Sequence, residues 1–267
     1  VSSALHATLD TLKSAAAADD AVVVFYSGGK DSLCVMDLCT RAFKRVVGVF
    51  MYLVPGLACV EKQLDFARQK WGVPILQYPH WVLAKCLADG MYCNNPSVVD
   101  DLELSLGDIY AAVRQDTGFK LIAHGAKKSD SLWRRRSLTT HHYENVIYPI
   151  VEWNKFDVMG YLKSHDIPLP DSSAGNATGI DLSTLSLLWL HDHHPQDFQA
   201  LCKVFPYAPA AVHRRQWYGI GDSLGVTTCT WPDGNSGYDP YAFDPDAPKT
   251  KRKKEEVLAG ANAAASE

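Results

Sequence analysis

Ala21 to Tyr26 is a short, continuous apolar run rich in valine. Such a run marks a strand buried on both faces of a parallel sheet, because a strand with one wet face would alternate. A parallel neighbour can be reached only through a crossover, so helices must separate the strands. The following sequence meets that demand. Ser32 to about Lys44 reads as a helix, and Val46 to Met51 as a second buried strand. Leu57 to Lys70 is helical, with Val60, Leu64 and Ala67 on one face. Val73 to Tyr78 is a third strand, and Pro74 near its start sends it towards the edge of the sheet. Asp101 to Asp116 reads as a helix and Phe119 to His124 as a fourth strand. Ahead of them, Leu5, Leu9 and Leu12 recur at helical spacing, so residues 2–18 form an amphipathic helix. The expected fold is α/β: an open, mostly parallel twisted sheet with helices on both faces.

Beyond His124 the pattern changes. Gly125 to His142 reads as a polar, basic loop, Val146 to Val151 as a short apolar piece, and Lys155 to His165 as a helix. Ile167-Pro168-Leu169-Pro170 stops that helix, and Ser172 to Gly179 is small and flexible, in the manner of a linker. Asp181 to about Trp217 reads as the helices of an appendage. From Pro232 onwards no fold is expected, and the run Lys249 to Lys254 offers a basic contact for a protein or nucleic-acid partner. The expected divisions are therefore 1–170, an α/β domain; 171–231, a helical accessory region; and 232–267, a charged tail.

Bulk properties narrow the function classes. The net charge of −4 gives no general pull towards nucleic acid or anionic membrane. No apolar run approaches the roughly 18 residues that span a bilayer, and the first twenty residues lack a secretory pattern, so a cytoplasmic protein is expected. None of the seven cysteines forms a C-x-x-C pair. Reduced thiols are expected, with neither zinc nor an iron–sulfur cluster. His191 and His194 are three apart and can share a helix face, but the sequence identifies no third ligand beside them.

Chemistry concentrates in Ser27-Gly28-Gly29-Lys30-Asp31-Ser32, which leaves the carboxyl end of the first strand. Ligands of open α/β sheets bind at that end. Gly28 and Gly29 allow backbone angles that curl N–H groups around an anion, and the next helix adds unpaired amides and the positive end of its dipole. Ser27 and Ser32 supply hydroxyls and Lys30 a mobile cation. Asp31 repels an anion unless it caps the helix or holds Mg²⁺ against the phosphate. The loop is neither the Walker type nor Gly-x-Gly-x-x-Gly. It reads as a site for a phosphate-bearing anion.

Ser-Gly-Gly-Lys-Asp-Ser after an apolar strand resembles the pyrophosphate loop of the PP-loop, adenosine nucleotide α-hydrolase-like, superfamily. The stretch Gly125 to Arg136 (Gly-Ala-Lys-Lys-Ser-Asp-Ser-Leu-Trp-Arg-Arg-Arg) is similar to a motif of the 3′-phosphoadenylyl sulfate (PAPS) reductase family. So are Tyr148-Pro149-Ile150, Trp153, Asp157-Val158, Tyr161-Leu162 and Ile167-Pro168. The region Asp181 to Pro206 resembles an accessory segment of phage-encoded members, which would place the protein in a host cytoplasm or a virion. The resemblance implies that the first loop holds the phosphate or sulfate end, with Lys30 and Asp31 as its catalytic members. It implies a basic clamp from Gly125, Lys127, Lys128, Arg134, Arg135 and Arg136 on the opposite side, and adenine near Phe50, Met51 and Tyr52. Trp153 and Asp157 look structural.

The resemblance stops at the sulfur chemistry. Reductases of this family carry a C-terminal Glu-Cys-Gly-x-His-type segment, whereas Cys229 here has no His, Glu or Arg beside it. Three functions follow as expectations: ATP pyrophosphatase-type adenylyl transfer with Mg²⁺ to an unidentified acceptor; PAPS reduction through Cys229 or an external thiol; or a nucleotide-binding module without turnover inside a larger assembly.

Overall fold

The fully buried strand β1 (Ala21–Phe25) lies at the centre of the sheet. In this computed structural model, residues 3–93, 104–140, 143–169 and 181–218 are described. β1 pairs with β2 (Arg45–Tyr52) on one side, and β3 (Ile75–Pro79) lies outside β2. On its other side come β4 (Ile122–Ala123) and then β5 (Val146–Ile147). All four pairings are parallel and the order is β3-β2-β1-β4-β5, so the strand containing Pro79 and preceded by Pro74 is an edge. The α/β expectation holds.

Alternation along the strands divides the core between the two faces. Val23, Phe25, Val49 and Ile122 pack on Ile109, Tyr110 and Val113 of α5 (Leu106–Thr117). The opposite face receives α2 (Lys30–Ala42), whose residues 32–39 are all buried. At Gly48 a Cβ would lie 3.0 Å from Met36 Cε and 3.0 Å from Ile75 Cγ1, so α2 and β3 together leave no room for a side chain in β2. α1 (Ser3–Ala18), α3 (Ala58–Trp71) and α7 (Lys155–Ser164) surround α2.

Two polar ties fix these helices. The Asp37 carboxylate, almost fully buried, accepts from Arg41 Nε at 2.8 Å, Trp71 Nε1 at 3.0 Å and Tyr161 Oη at 2.7 Å, joining α2, α3 and α7. Burial opposes its ionisation, but the three donors outweigh it and hold its pKa below the usual value. The buried Trp153 donates to Thr8 Oγ1 at 2.8 Å, and Thr8 donates to Pro149 O at 2.7 Å, which anchors α1. Asp157 completes a capping box with Asn154 at the start of α7.

Three differences from the sequence reading have local causes. Residues 132–140 form a helix, α6 (Leu132–Thr140), where a loop was expected. Ser131 Oγ caps it by accepting from Arg134 N at 3.0 Å, but α6 buries only Leu138 and so shows no apolar periodicity. α4 (Val82–Ala88) went unread for the same reason, since it buries no residue fully. β5 is shorter than the apolar run because Pro149 offers no N–H and the chain turns there, with Val151 N bonded to Tyr148 O.

Within the same compact unit, Val1–Trp231, three more helices follow: α8 (Thr184–His193), α9 (Pro195–Val204) and α10 (Pro209–Tyr218). The buried Asp197 of α9 accepts from Ala58 N and Cys59 N, both at 2.8 Å. Leu57 caps α3 without a side-chain hydrogen bond, so Asp197 supplies the missing N-cap from a distant part of the chain. No described helix is long and apolar enough to cross a membrane.

Asp37→Leu is expected to lower the unfolding free energy at pH 7 by about 2–4 kcal/mol, because it strands two buried donors. The folded pKa of Asp37 is depressed, so its contribution is complete above the unfolded pKa and lost as pH falls through the folded one. Urea titrations of both proteins should show a constant gap near neutrality that narrows below about pH 4.

Candidate functional site

From β1 the chain steps outward to β2 and β3, then returns and steps the opposite way through β4 and β5. The loops after β1 and β4 therefore leave neighbouring carboxyl ends and diverge, opening a crevice at the reversal. The β1 loop supplies its first wall. Gly28 has φ +76°, and a Cβ there would lie 2.6 Å from Gln63 Oε1. Gly29 is the N-cap of α2 with no side-chain capping bond, and its carbonyl accepts from Leu33 N at 3.0 Å. The amides of Lys30, Asp31 and Ser32 thus lie at an open helix N-terminus. Ser32 Oγ donates to Gly29 O at 2.8 Å and lies 3.3 Å from Ser27 Oγ, which holds the loop closed on itself.

The β4 loop supplies the second wall. Its backbone touches α2 directly: a Cβ on Gly125 would lie 3.2 Å from Asp31 C and 3.3 Å from Ser32 N. Lys127 is 2% exposed, and its ammonium lies 2.7 Å from Asp31 Oδ2 and 2.9 Å from Asp130 Oδ1. These contacts are ion pairs rather than well-directed hydrogen bonds. Lys30 Nζ also reaches Asp31 Oδ2, at 3.1 Å, but is about a quarter exposed. Lys127 already compensates Asp31, so Lys30 can leave that carboxylate for an incoming anion.

Between the walls lies a cavity of about 540 Å³. Its base is formed by Phe25, Tyr26, Val49 and Met51, and its rim by the α2 turn, Gly125, Ala126, Asp130 and Arg134. His80 and His124 close it. His124 stacks on Phe25 with ring centroids 4.4 Å apart and shares a 2.7 Å hydrogen bond with Tyr110 Oη. Burial, reinforced by the nearby Arg134 charge, presses its pKa down to about 3, so the ring is neutral at physiological pH. Burial also lowers the pKa of His80, whose Nδ1 accepts from Val82 N at 3.1 Å. Tyr26 Oη and Asp31 Oδ1 are buried without a hydrogen-bond partner.

The predicted residues divide. Ser27, Lys30, Asp31, Ser32, Gly125, Arg134 and Met51 line the cavity. Gly28 and Gly29 shape the turn behind it, and Lys127 lies beneath, bound to carboxylates. Lys128 pairs with Glu152. Arg135, Arg136, Phe50 and Tyr52 are not among the lining residues. Cys229, His141, His142 and the basic run 249–254 lie outside the described residues. His80 and His124 were not anticipated; the available signal was their position just past a strand's carboxyl end, where ligands of such sheets collect. For Mg²⁺ the fit is poor. Asp31 Oδ2 already faces two ammonium groups, which leaves only Oδ1 to offer, and no step is derived through the ion.

One expectation is corrected. Zinc and iron–sulfur clusters were excluded because the cysteines lack metal-binding spacing, yet the fold gathers Cys59, His194 and Asp197 with ligand atoms all within 4.8 Å of one another. His194 pairs not with His191 but with residues 135 and 3 positions away, which sequence spacing does not disclose.

No family model matches the chain, and no curated protein matches it. Three of the solved structures similar to it illustrate the likeness. The U34-tRNA thiolase of Methanococcus maripaludis, solved with its [4Fe-4S] cluster, shares 14% identity at TM-score 0.42, over 78% of this chain and 80% of that one. A phosphate complex of phosphoadenylyl-sulfate reductase from Candida auris shares 15% at 0.43, over 62% and 82%. The NH3-dependent NAD synthetase of Campylobacter jejuni, with nitrate, shares 15% at 0.42, over 81% and 95%. Likeness at these scores carries no further weight, and the fold stands on its own strand order and register. What fold and crevice define is an open parallel α/β protein with a ligand cavity at its switch point.

Lys127→Met leaves Asp31 and Asp130 facing each other without their shared cation. A loss of roughly 3 kcal/mol in unfolding free energy is expected, at the low end for breaking a buried pair because both carboxylates are partly exposed. Gly125→Ala forces the β4 loop away from α2, with an expected cost of about 1–3 kcal/mol measured by denaturant unfolding.

Proposed function

We propose that the crevice binds ATP with its polyphosphate on the amino end of α2 and its adenosine towards Met51 and His80, and that the protein transfers the adenylyl group to an acceptor. The observation that carries this is the uncapped N-terminus of α2 in a cavity at the switch point, where the first-turn amides, the Ser27 and Ser32 hydroxyls and a releasable Lys30 converge. Together they form an anion site for several phosphate oxygens. An acceptor oxygen attacks the α-phosphorus, the bond to the β-phosphate oxygen breaks, and pyrophosphate leaves into the loop. Lys30 and the amides compensate the charge that develops, so catalysis rests on positioning and electrostatics.

Sulfonucleotide reduction requires a thiolate over the cavity. None of the described cysteines lines it, and burial pushes the Cys34 and Cys39 thiols up, Cys34 with added repulsion from Asp31 and Asp37. Reduction would need Cys229, outside the described residues, or an external thiol, whereas adenylyl transfer needs neither.

ATP is expected to stabilise the protein against thermal unfolding, by about 2.7 kcal/mol at a concentration a hundredfold above Kd. Lys30→Ala should weaken binding at least about tenfold, the equivalent of one charge-assisted hydrogen bond. Any turnover should release pyrophosphate rather than phosphate. Absence of a thermal shift at millimolar ATP, with and without Mg²⁺, contradicts the proposal.

A further inference from the structure

A second cavity, of about 680 Å³, adjoins the first and shares His124, Ala126 and Arg134 with it. Its size suits a small organic ligand. Its character differs from the first. Five aromatic side chains line it: Trp81, Tyr110, Trp133, Tyr143 and Tyr148. Trp133 is 70% exposed, and its ring is covered by Arg134 only at a centroid distance of 5.7 Å. Burial raises the Tyr110 and Tyr148 pKa values, so both phenols are neutral hydrogen-bonding groups.

The charges are unequal. Lys85 and Asp89, both on this wall, pair with each other at 2.9 Å. Arg134 makes no ion pair with a carboxylate among the described residues, and its charge is felt at His124, Tyr110 and Tyr148. Among the described residues, then, a cation without a carboxylate partner sits where the two cavities meet. A ligand that satisfies both features is flat and aromatic at one end and anionic at the end turned towards the nucleotide.

We propose that this cavity binds the acceptor, and that the acceptor is a planar aromatic carboxylate whose ring lies among the aromatic side chains and whose carboxylate lies on Arg134. The assignment rests on the adenylyl-transfer reading for its chemistry but not for its geometry. A carboxylate oxygen at the shared wall attacks the α-phosphorus of ATP. A new O–P bond forms, the bond to pyrophosphate breaks, and the electron pair departs with pyrophosphate. The products are an acyl adenylate and pyrophosphate; no proton, oxidant or reductant is consumed. A neutral ring, such as an unmodified base presented alone, leaves the Arg134 charge unmatched.

Calorimetric titration with indole-3-carboxylate as the probe tests this, using the full chain with and without a non-hydrolysable ATP analogue. Saturable binding is expected, weakened about tenfold or more with indole-3-carboxamide and with Arg134→Gln. Ala84→Phe, which fills the second cavity from α4 outside the first, should abolish probe binding and leave the analogue's affinity within about twofold. Ser137→Phe fills it from α6 and serves if the first variant does not fold. No probe binding at about 10 mM, equal binding of the carboxamide, or retention of the probe by folded filled variants overturns the assignment. So does tighter binding of uridine 5′-monophosphate at the same cavity, which makes the ligand a nucleotide. If the probe behaves as expected while the ATP analogue does not bind, the cavity assignment stands and the nucleotide reading falls.

Discussion

Lys127 joins two carboxylates across the floor of the crevice, Asp31 from the first turn of α2 and Asp130 from the loop after β4. An ammonium withdrawn from water is costly unless its charge is matched, and here two partners match it. The consequence is geometric. With Lys127 in place, the two loops are held so close that a Cβ at position 125 would press on the α2 backbone, 3.2 Å from Asp31 C. The consequence is also electrostatic. Lys30 and Lys127 face the carboxylates of Asp31 and Asp130, with Lys127 shared between both, and Arg134 and the open end of α2 add further positive potential. An anion that draws Lys30 away leaves Asp31 still compensated.

The sheet makes that meeting possible. Because the chain reverses its direction of travel across the sheet between β3 and β4, the loops after β1 and β4 are neighbours although about a hundred residues separate them. The supporting ties are placed around the same strands. Asp37 collects α3 and α7 on α2, Thr8 and Trp153 pin α1, and Asp197 caps α3 from α9. Each supplies a partner to a buried donor or an uncapped helix end, so rigidity around the loop comes from satisfied polar groups as well as apolar packing.

Much of this was legible in the sequence, for identifiable reasons. The valine-rich run at 21–26 and its successors declare a parallel sheet because burial on both faces leaves no polar alternation, and the glycines of the first loop mark the turn directly. The motif at 125–136 locates the second wall. Its arginines and lysines suggested a uniform basic clamp, which charge alone invites; placement depends on what each residue meets. Lys127 turns inward to carboxylates, Lys128 takes Glu152, and one arginine in three reaches the cavity. α6 and α4 escaped notice because they bury too little to show a period. The Cys59, His194 and Asp197 group, and the capping role of Asp197, join residues far apart in sequence, and no local pattern announces such contacts.

The most direct test of the central claim is a crystal structure with α,β-methylene ATP, in which the scissile bond is blocked. The β- and γ-phosphates are expected within hydrogen-bond distance of the Lys30, Asp31 and Ser32 amides, with Lys30 turned from Asp31 to phosphate and Lys127 still bound between Asp31 and Asp130. A nucleotide bound elsewhere, or one lying in the crevice with its base rather than its phosphates on the amino end of α2, would contradict it.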